Sequence, residues 1–159
     1  MKKPDRIRLV RLTDVSLKDI VSHMNDPRVA EHMPLLTVEW TPEVARKFVA
    51  TKEESWKQDG LGHWAILNDK TYVGWGGFQK EGDDWDFGLV LKPDKFGLGM
   101  RVSRMAIEFA KADARIGTIT FLLPLSRKNL GALSRGGAKF VANIEYGGEI
   151  FKKYSLETR

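Results

Sequence analysis

The 159-residue chain has no cysteine and only three histidines, His23, His32 and His63, at unrelated spacings. Without thiols there is no disulfide framework, no cysteine nucleophile and no thiolate metal site, and scattered imidazoles do not build a histidine-only zinc centre. No metal is expected. Long apolar runs are also missing: none approaches the roughly 20 residues that span a bilayer. The opening Met1-Lys2-Lys3-Pro4-Asp5-Arg6 lacks the apolar stretch of a signal peptide, so a cytoplasmic protein with no membrane partner is expected. Neither sign of charge dominates. The 26 Lys and Arg against 21 Asp and Glu leave +5, interleaved along the chain without forming a stripe, which argues against a nucleic-acid partner. Repeats, low-complexity stretches and linkers are absent. With 42% hydrophobic residues the chain has material for one good core, and a single domain over 1–159 is expected.

What is present is a clear alternation of periods. Residues 7–12 alternate as a strand, and Thr13-Asp14-Val15-Ser16 offers caps for a short helix carrying Leu17, Ile20, Val21 and Met24 before Asn25-Asp26-Pro27 stops it. Thr41-Pro42-Glu43 opens a second helix through Val44, Phe48 and Trp56 to Gln58-Asp59-Gly60. From His63 the period is two: 64–67, a turn at 68–70, 72–78, a turn at Gly82-Asp83-Asp84, and 85–91. Phe96-Gly97-Leu98-Gly99 then leads into a helix over 100–112 with an apolar stripe of Val102, Met105, Ala106, Phe109 and Ala110. Residues 117–123 form a near-continuous apolar strand, 129–139 a helix loosened by Gly131, Gly136 and Gly137, and 140–146 with 149–156 a closing hairpin around Gly147-Gly148.

The strand running through Gly97 and Gly99 into a helix start is the most informative segment. A helix N-terminus presents unpaired N–H donors and the positive end of the dipole, and glycines let a bulky anion approach the backbone. A phosphate-bearing guest is expected. Lys92, Lys95, Arg101 and Arg104 either add charge around it or are solvated surface residues. Met100-Arg101 stands where a nucleotide P-loop needs Lys-Ser/Thr, and the third spaced glycine of a dinucleotide fingerprint is missing.

Several segments resemble the Gcn5-related N-acetyltransferase (GNAT) superfamily, and within it the branch of ribosomal-protein N-terminal acetyltransferases. They are Arg8-Leu-Val-Arg-Leu-Thr-Asp14, Asn25-Asp-Pro-Arg-Val-Ala30 with Met33-Pro34, Thr41-Pro-Glu-Val-Ala-Arg-Lys-Phe48, His63-Trp-Ala-Ile66, Tyr72-Val-Gly-Trp-Gly-Gly-Phe78 and Asp86-Phe-Gly-Leu-Val-Leu-Lys-Pro93. The resemblance covers nearly the whole chain. It implies an α/β (α+β) fold: a mixed, mostly antiparallel sheet of six to seven strands, with strands four and five splayed and helices on both faces. It also implies acetyl-CoA as acyl donor and an amine acceptor, a peptide N-terminus or a small molecule, acetylated by a monomer or homodimer. Carried over by position, Leu89, Val90 and Leu91 contact the pantetheine, and Phe96, Gly97, Leu98, Gly99, Met100, Arg101 and Val102 hold the pyrophosphate. Asn129 opens a second CoA-contacting helix. Arg101, Ala132 and the run Gly136-Gly-Ala-Lys-Phe140 depart from the family pattern, and leave open a CoA-binding or interaction module without catalysis.

An ammonium has no lone pair, so transfer needs a base. Asp86 matches the family's strand-four carboxylate and is either that base or a carboxylate that attracts a cationic acceptor. The Val90 N–H is the expected oxyanion donor. Ser134 is the expected proton donor to the thiolate, with Ser126, Tyr146 and Tyr154 as alternatives and core packing as the plainer role of the tyrosines. The three histidines read as surface or strand-edge residues. Of the five tryptophans, Trp40 is expected to line the acceptor pocket and the others to pack in the core.

Overall fold

A computed structural model describes residues 6–127 and 131–159. The segments of period two form strands β1 (Ile7–Arg11), β2 (His63–Asn68), β3 (Thr71–Glu81), β4 (Asp84–Leu91), β5 (Thr118–Pro124), β6 (Lys139–Tyr146) and β7 (Glu149–Glu157). They make one seven-stranded sheet in the order β1-β2-β3-β4-β5-β7-β6, antiparallel at every join except β4 to β5. The helices are α1 (Leu17–Met24), α2 (Pro27–Ala30), α3 (Pro42–Asp59), α4 (Gly99–Ala112) and α5 (Gly131–Arg135), with a 3-10 stretch Pro93–Leu98 leading into α4. None of the described helices is long and apolar enough to cross a membrane.

Local chemistry explains the boundaries. Ser16 caps α1 and Thr41 caps α3, each side chain accepting a backbone N–H of the first turn, and α3 ends where Gly60 takes the left-handed conformation. Asp26 and Pro27 stop α1 but also start the single turn of α2, because Asp26 accepts from Arg28 N–H and proline suits the first helical position. Leu12 leaves β1 for a 3-10 turn and is fully buried. The helix expected over 129–139 is, among the described residues, only α5; the Gly136-Gly137 pair ends it, and Lys139 already opens β6.

Alternation along β4 sorts the two layers. Trp85, Leu89 and Leu91 join Val102, Ala106 and Ala110 of α4 on one face, where Phe78 and Ile119 are fully buried. Val90 lies on the other face with Trp75, Ile20 of α1 and Val49 of α3. Helices therefore cover both faces. β3 and β4 approach closely because β3 carries glycine at the contact: a Cβ on Gly74 would lie 2.5 Å from the Val90 carbonyl oxygen. Gly74→Ala should therefore destabilise the fold by about 1–3 kcal/mol in urea unfolding. Gly88→Ala, at a position where a Cβ meets nothing within 4 Å, should cost under about 0.5 kcal/mol. Equal losses would show that the strand contact is not what requires the glycine.

Candidate active site

The parallel pair β4–β5 is nearly absent as a ladder. It has two register partners, Trp85↔Ile119 and Asp86↔Thr120, after which β4 runs on to Leu91 and β5 to Pro124 with no strand between them. Each strand is fully paired on its other side, β4 with β3 from Glu81↔Asp84 to Gly74↔Leu91, and β5 with β7 from Thr118↔Glu157 to Pro124↔Phe151. The result is a cleft with firm walls, closed at the Asp86–Thr120 end. Unpaired main-chain groups along it have to be met by water or a ligand.

The register decides which groups face the cleft. The Val90 carbonyl is turned to β3, beside Gly74, and the Gly88 carbonyl likewise lies beside Gly76. In an antiparallel ladder such a residue exchanges both its bonds with its partner, here Trp75 for Val90, and Lys92 N–H continues the pattern by donating to Val73 C=O at 2.8 Å. Val90 is thus not the oxyanion donor that the sequence suggested. Phe87, Leu89 and Leu91, one residue out of phase, turn their main-chain groups to the cleft.

At the closed end Thr120 Oγ1 donates to Asp86 Oδ1 at 2.9 Å. Burial pushes the Asp86 carboxyl up from the usual 3.8 to about 6; the Thr120 hydroxyl opposes this, the charge of Glu81 adds to it, and Lys153 opposes it weakly. Thr120, only 4% exposed, was missed by sequence reasoning. Its signal is a hydroxyl set between the apolar Ile119 and Phe121 in the interior of β5.

At the open end α4 starts without a side-chain cap, unlike α1, α2 and α3. A Cβ on Gly97 would meet nothing within 4 Å, and one on Gly99 only Leu91 Cδ1 at 3.8 Å. Phe96, Met100 and Arg101 are exposed beside them, Leu98 is half-buried, and Val102 packs inward. This loop fits an anion. Lys92 departs from the expected collar: its Nζ lies 5.6 Å from the Tyr72 ring, on the face opposite α4. There it lines a cavity of about 160 Å³ with Ser22, His23, Asp26, Pro93 and Asp94. Asn129 lies outside the described residues.

The segment 31–40 straps across the cleft mouth. His32 Nδ1 is 3.0 Å from Ser126 Oγ, beyond the end of β5, and its ring meets Phe96 edge-on at 6.0 Å. Leu35 packs on the β6–β7 turn, where a Cβ on Gly147 would lie 2.7 Å from Leu35 Cδ2. Trp40 corrects the expectation of an acceptor lining: it is buried, edge-on to Phe48 at 5.1 Å, and its backbone exchanges two 2.8 Å hydrogen bonds with the Asn25 side chain. Ser134 is exposed on α5, and Ser126 is engaged with His32. Tyr154 packs on Phe140, whereas Tyr146 is exposed at the hairpin tip.

Two histidines are also corrected from surface to interior. His23 pairs with the Tyr72 hydroxyl at 2.7 Å, and burial pulls its pKa down to about 4. His63 sits against Trp75, lowered to about 3 by burial and by the Lys52 ammonium. Both are neutral core residues at pH 7.

A split parallel pair, an uncapped helix start beside it and a raised carboxyl at its closed end together suit a thioester-using acyltransferase. The family model for the acetyltransferase (GNAT) domain matches residues 6–132, and the chain belongs to that family. Similar solved structures include a GNAT-family acetyltransferase from Bacillus anthracis, 16% identical, with 98% of this chain and 97% of that one covered at a TM-score of 0.73. RimL, a ribosomal α-N-protein acetyltransferase solved with coenzyme A, is 12% identical over 95% and 93% of the two chains at 0.76. Spermidine N-acetyltransferase from Vibrio cholerae, solved with CoA and spermine, is 10% identical over 97% and 95% at 0.69. No curated protein matches the chain in sequence.

Because folding raises the Asp86 pKa, the protonated carboxyl is the favoured form: its contribution is full below about pH 4 and is lost as pH rises through about 6. Asp86→Asn, neutral throughout, should therefore gain on the wild type by about 3 kcal/mol between pH 4 and pH 8 in denaturant unfolding. Parallel stability curves would show that the carboxyl does not titrate in this window.

Proposed function

We propose that the chain transfers the acetyl group of acetyl-CoA to a primary amine by direct attack. The observation that carries this reading is the placement of Asp86, a half-buried carboxyl with a raised pKa, where the β4–β5 cleft closes. The cleft-facing main chain of Leu89 and Leu91 would hold the pantetheine, and the loop from Phe96 to Val102 with the uncapped α4 start would hold the pyrophosphate. Acetyl-CoA supplies the activated acyl carbon: from the ammonium form of the acceptor one proton leaves to free the lone pair, the C–N bond forms as the C–S bond breaks, and a second nitrogen proton ends on the departing sulfur, giving an amide, a thiol and one released proton.

Asp86 accepts the proton that frees the amine lone pair, and a pKa near 6 makes it a better base than a solvated carboxylate while leaving it largely ionised at pH 7. The cleft-facing Leu89 N–H replaces Val90 as donor to the developing oxyanion. Solved relatives act on a protein and on spermidine. A protein N-terminus is the acceptor we favour, because the sequence resemblance and the fold likeness to RimL point the same way. The strap at 31–40 and the β6–β7 turn, joined at Leu35 and Gly147, border the acceptor side.

Thiol release with acetyl-CoA and a panel of peptides and polyamines tests the reading; saturable CoA binding with no turnover on any amine would favour the binding-module alternative. Asp86→Asn should lower kcat by about 10²–10⁴-fold with acetyl-CoA affinity unchanged. It should also abolish an acid limb in kcat/KM centred near pH 6. Gly97→Val separates ligand from fold: with open space at that position, stability should hold while CoA binding in calorimetry weakens at least tenfold. Undiminished affinity would remove the loop from the pyrophosphate site.

A further inference from the structure

β5 is an apolar strand interrupted by hydroxyls at two places, and the two are used differently. Thr118 sends its hydroxyl to the exposed Glu157 carboxylate at 3.0 Å. Thr120 is buried, and a buried hydroxyl needs a partner; the partner is Asp86 Oδ1. Its β-branched side chain has little χ1 freedom, so the donor is held still by the strand. The bond also falls on Asp86↔Thr120, the last register pair before the strands part. Asp86 Oδ1 is thereby occupied, while Oδ2 takes no hydrogen bond among the described residues and Asp86 remains partly open to solvent.

From this arrangement we infer that Thr120 is a positioning residue for the acyl transfer: by anchoring Oδ1 across the last rung it directs Oδ2 toward the acceptor amine. The inference rests on the reading of Asp86 as base. A carboxyl tethered by one oxygen keeps the more basic lone pairs of the other available and cannot rotate out of line, and small misplacements of a reacting group cost rate steeply. The hydroxyl also favours the ionised form, so it sets how far burial can raise the carboxyl. The other charges bearing on Asp86 are Glu81 on β3 and Lys153 on β7, and its β3 register partner Gln79 is neutral.

Thr120→Val keeps the shape and removes the donor. Its kcat should fall about 10–100-fold with acetyl-CoA affinity unchanged, and the acid limb of kcat/KM should move up by about one pH unit. Thr120→Ser should restore the wild-type midpoint. Thr120→Ala, as a second variant lacking the hydroxyl, should shift the limb in the same direction even where its stability differs. An unmoved midpoint in both the Val and Ala variants, with any loss confined to melting temperature, would overturn the inference and leave Thr120 a packing residue. Asp86→Asn distinguishes the two failures. If that variant keeps rate and limb, the base reading is wrong; if it loses both while Thr120→Val keeps the midpoint, only the role of Thr120 is wrong.

Discussion

The whole arrangement depends on one shortened ladder. Two extended segments lie side by side, each paired along its length with its other neighbour, yet they pair with one another at only two positions before diverging. Further pairing would satisfy more main-chain groups, so something must hold the strands apart. Part of it is a wedge: just past the last rung, on the α4 face, the Phe87 and Phe121 rings meet edge-on at 6.1 Å. Such a contact is worth about 0.5–1.5 kcal/mol beyond area burial and occupies the room a closer approach would need. The rest is commitment elsewhere, since β4 is fully engaged by β3 and β5 by β7. The cleft is a property of the packed sheet, present before any ligand arrives.

The same join fixes where the proposed anion site lies. Parallel neighbours cannot be linked by a tight turn; they need a crossover, which here is the 3-10 stretch and α4. The crossover helix that leaves the carboxyl end of β4 begins beside the open end of the cleft, its first turn without a side-chain cap and led in by the 3-10 stretch, whose Phe96 C=O accepts the Gly99 N–H. Helix start and cleft mouth are therefore neighbours by topology. Glycine at 97 and 99 keeps that junction clear, and the His32 strap lies across it, touching both Phe96 and Ser126. Strand, loop and strap converge on one opening although they are far apart in sequence.

Much of this was legible in one dimension. Periods of two and near four, with Ser16, Thr41 and Gly60 as caps, give the strands and helices to within a few residues. The glycine loop also stands out by type and spacing, and Asp86 through the family resemblance of its strand. Register does not. The direction of the Val90 amide depends on how β4 lies against β3, and β3 itself carries a bulge against β2 between Ile66 and Leu67 that resets its phase. Partners brought together over long separations were equally hidden: His23 reads as a surface residue until Tyr72 covers it, and Trp40 as a pocket lining until Asn25 pins its backbone. Thr120 shows only as a polar residue between apolar ones, because its hydrogen-bond partner lies 34 residues away on β4.

The acid at the closed end is where fold and chemistry disagree. A core designed for stability alone would not bury a carboxyl, and a solvated carboxylate would be too weak a base to serve a protonated amine. Asp86 lies between these limits, and its neighbours decide where. Burial and Glu81 favour the proton, whereas Thr120 and Lys153 favour the charge. Full burial without the hydroxyl would favour the proton further and work against the proposed base; full exposure would return the carboxyl to its ordinary acidity. The vertex of a split parallel pair suits the proposed role, since one strand supplies the carboxyl, the other supplies a fixed donor, and the two strands part beyond them. The two register pairs of β4 and β5 are thus enough to close the sheet, and few enough to leave a carboxyl that is held on one oxygen and open on the other.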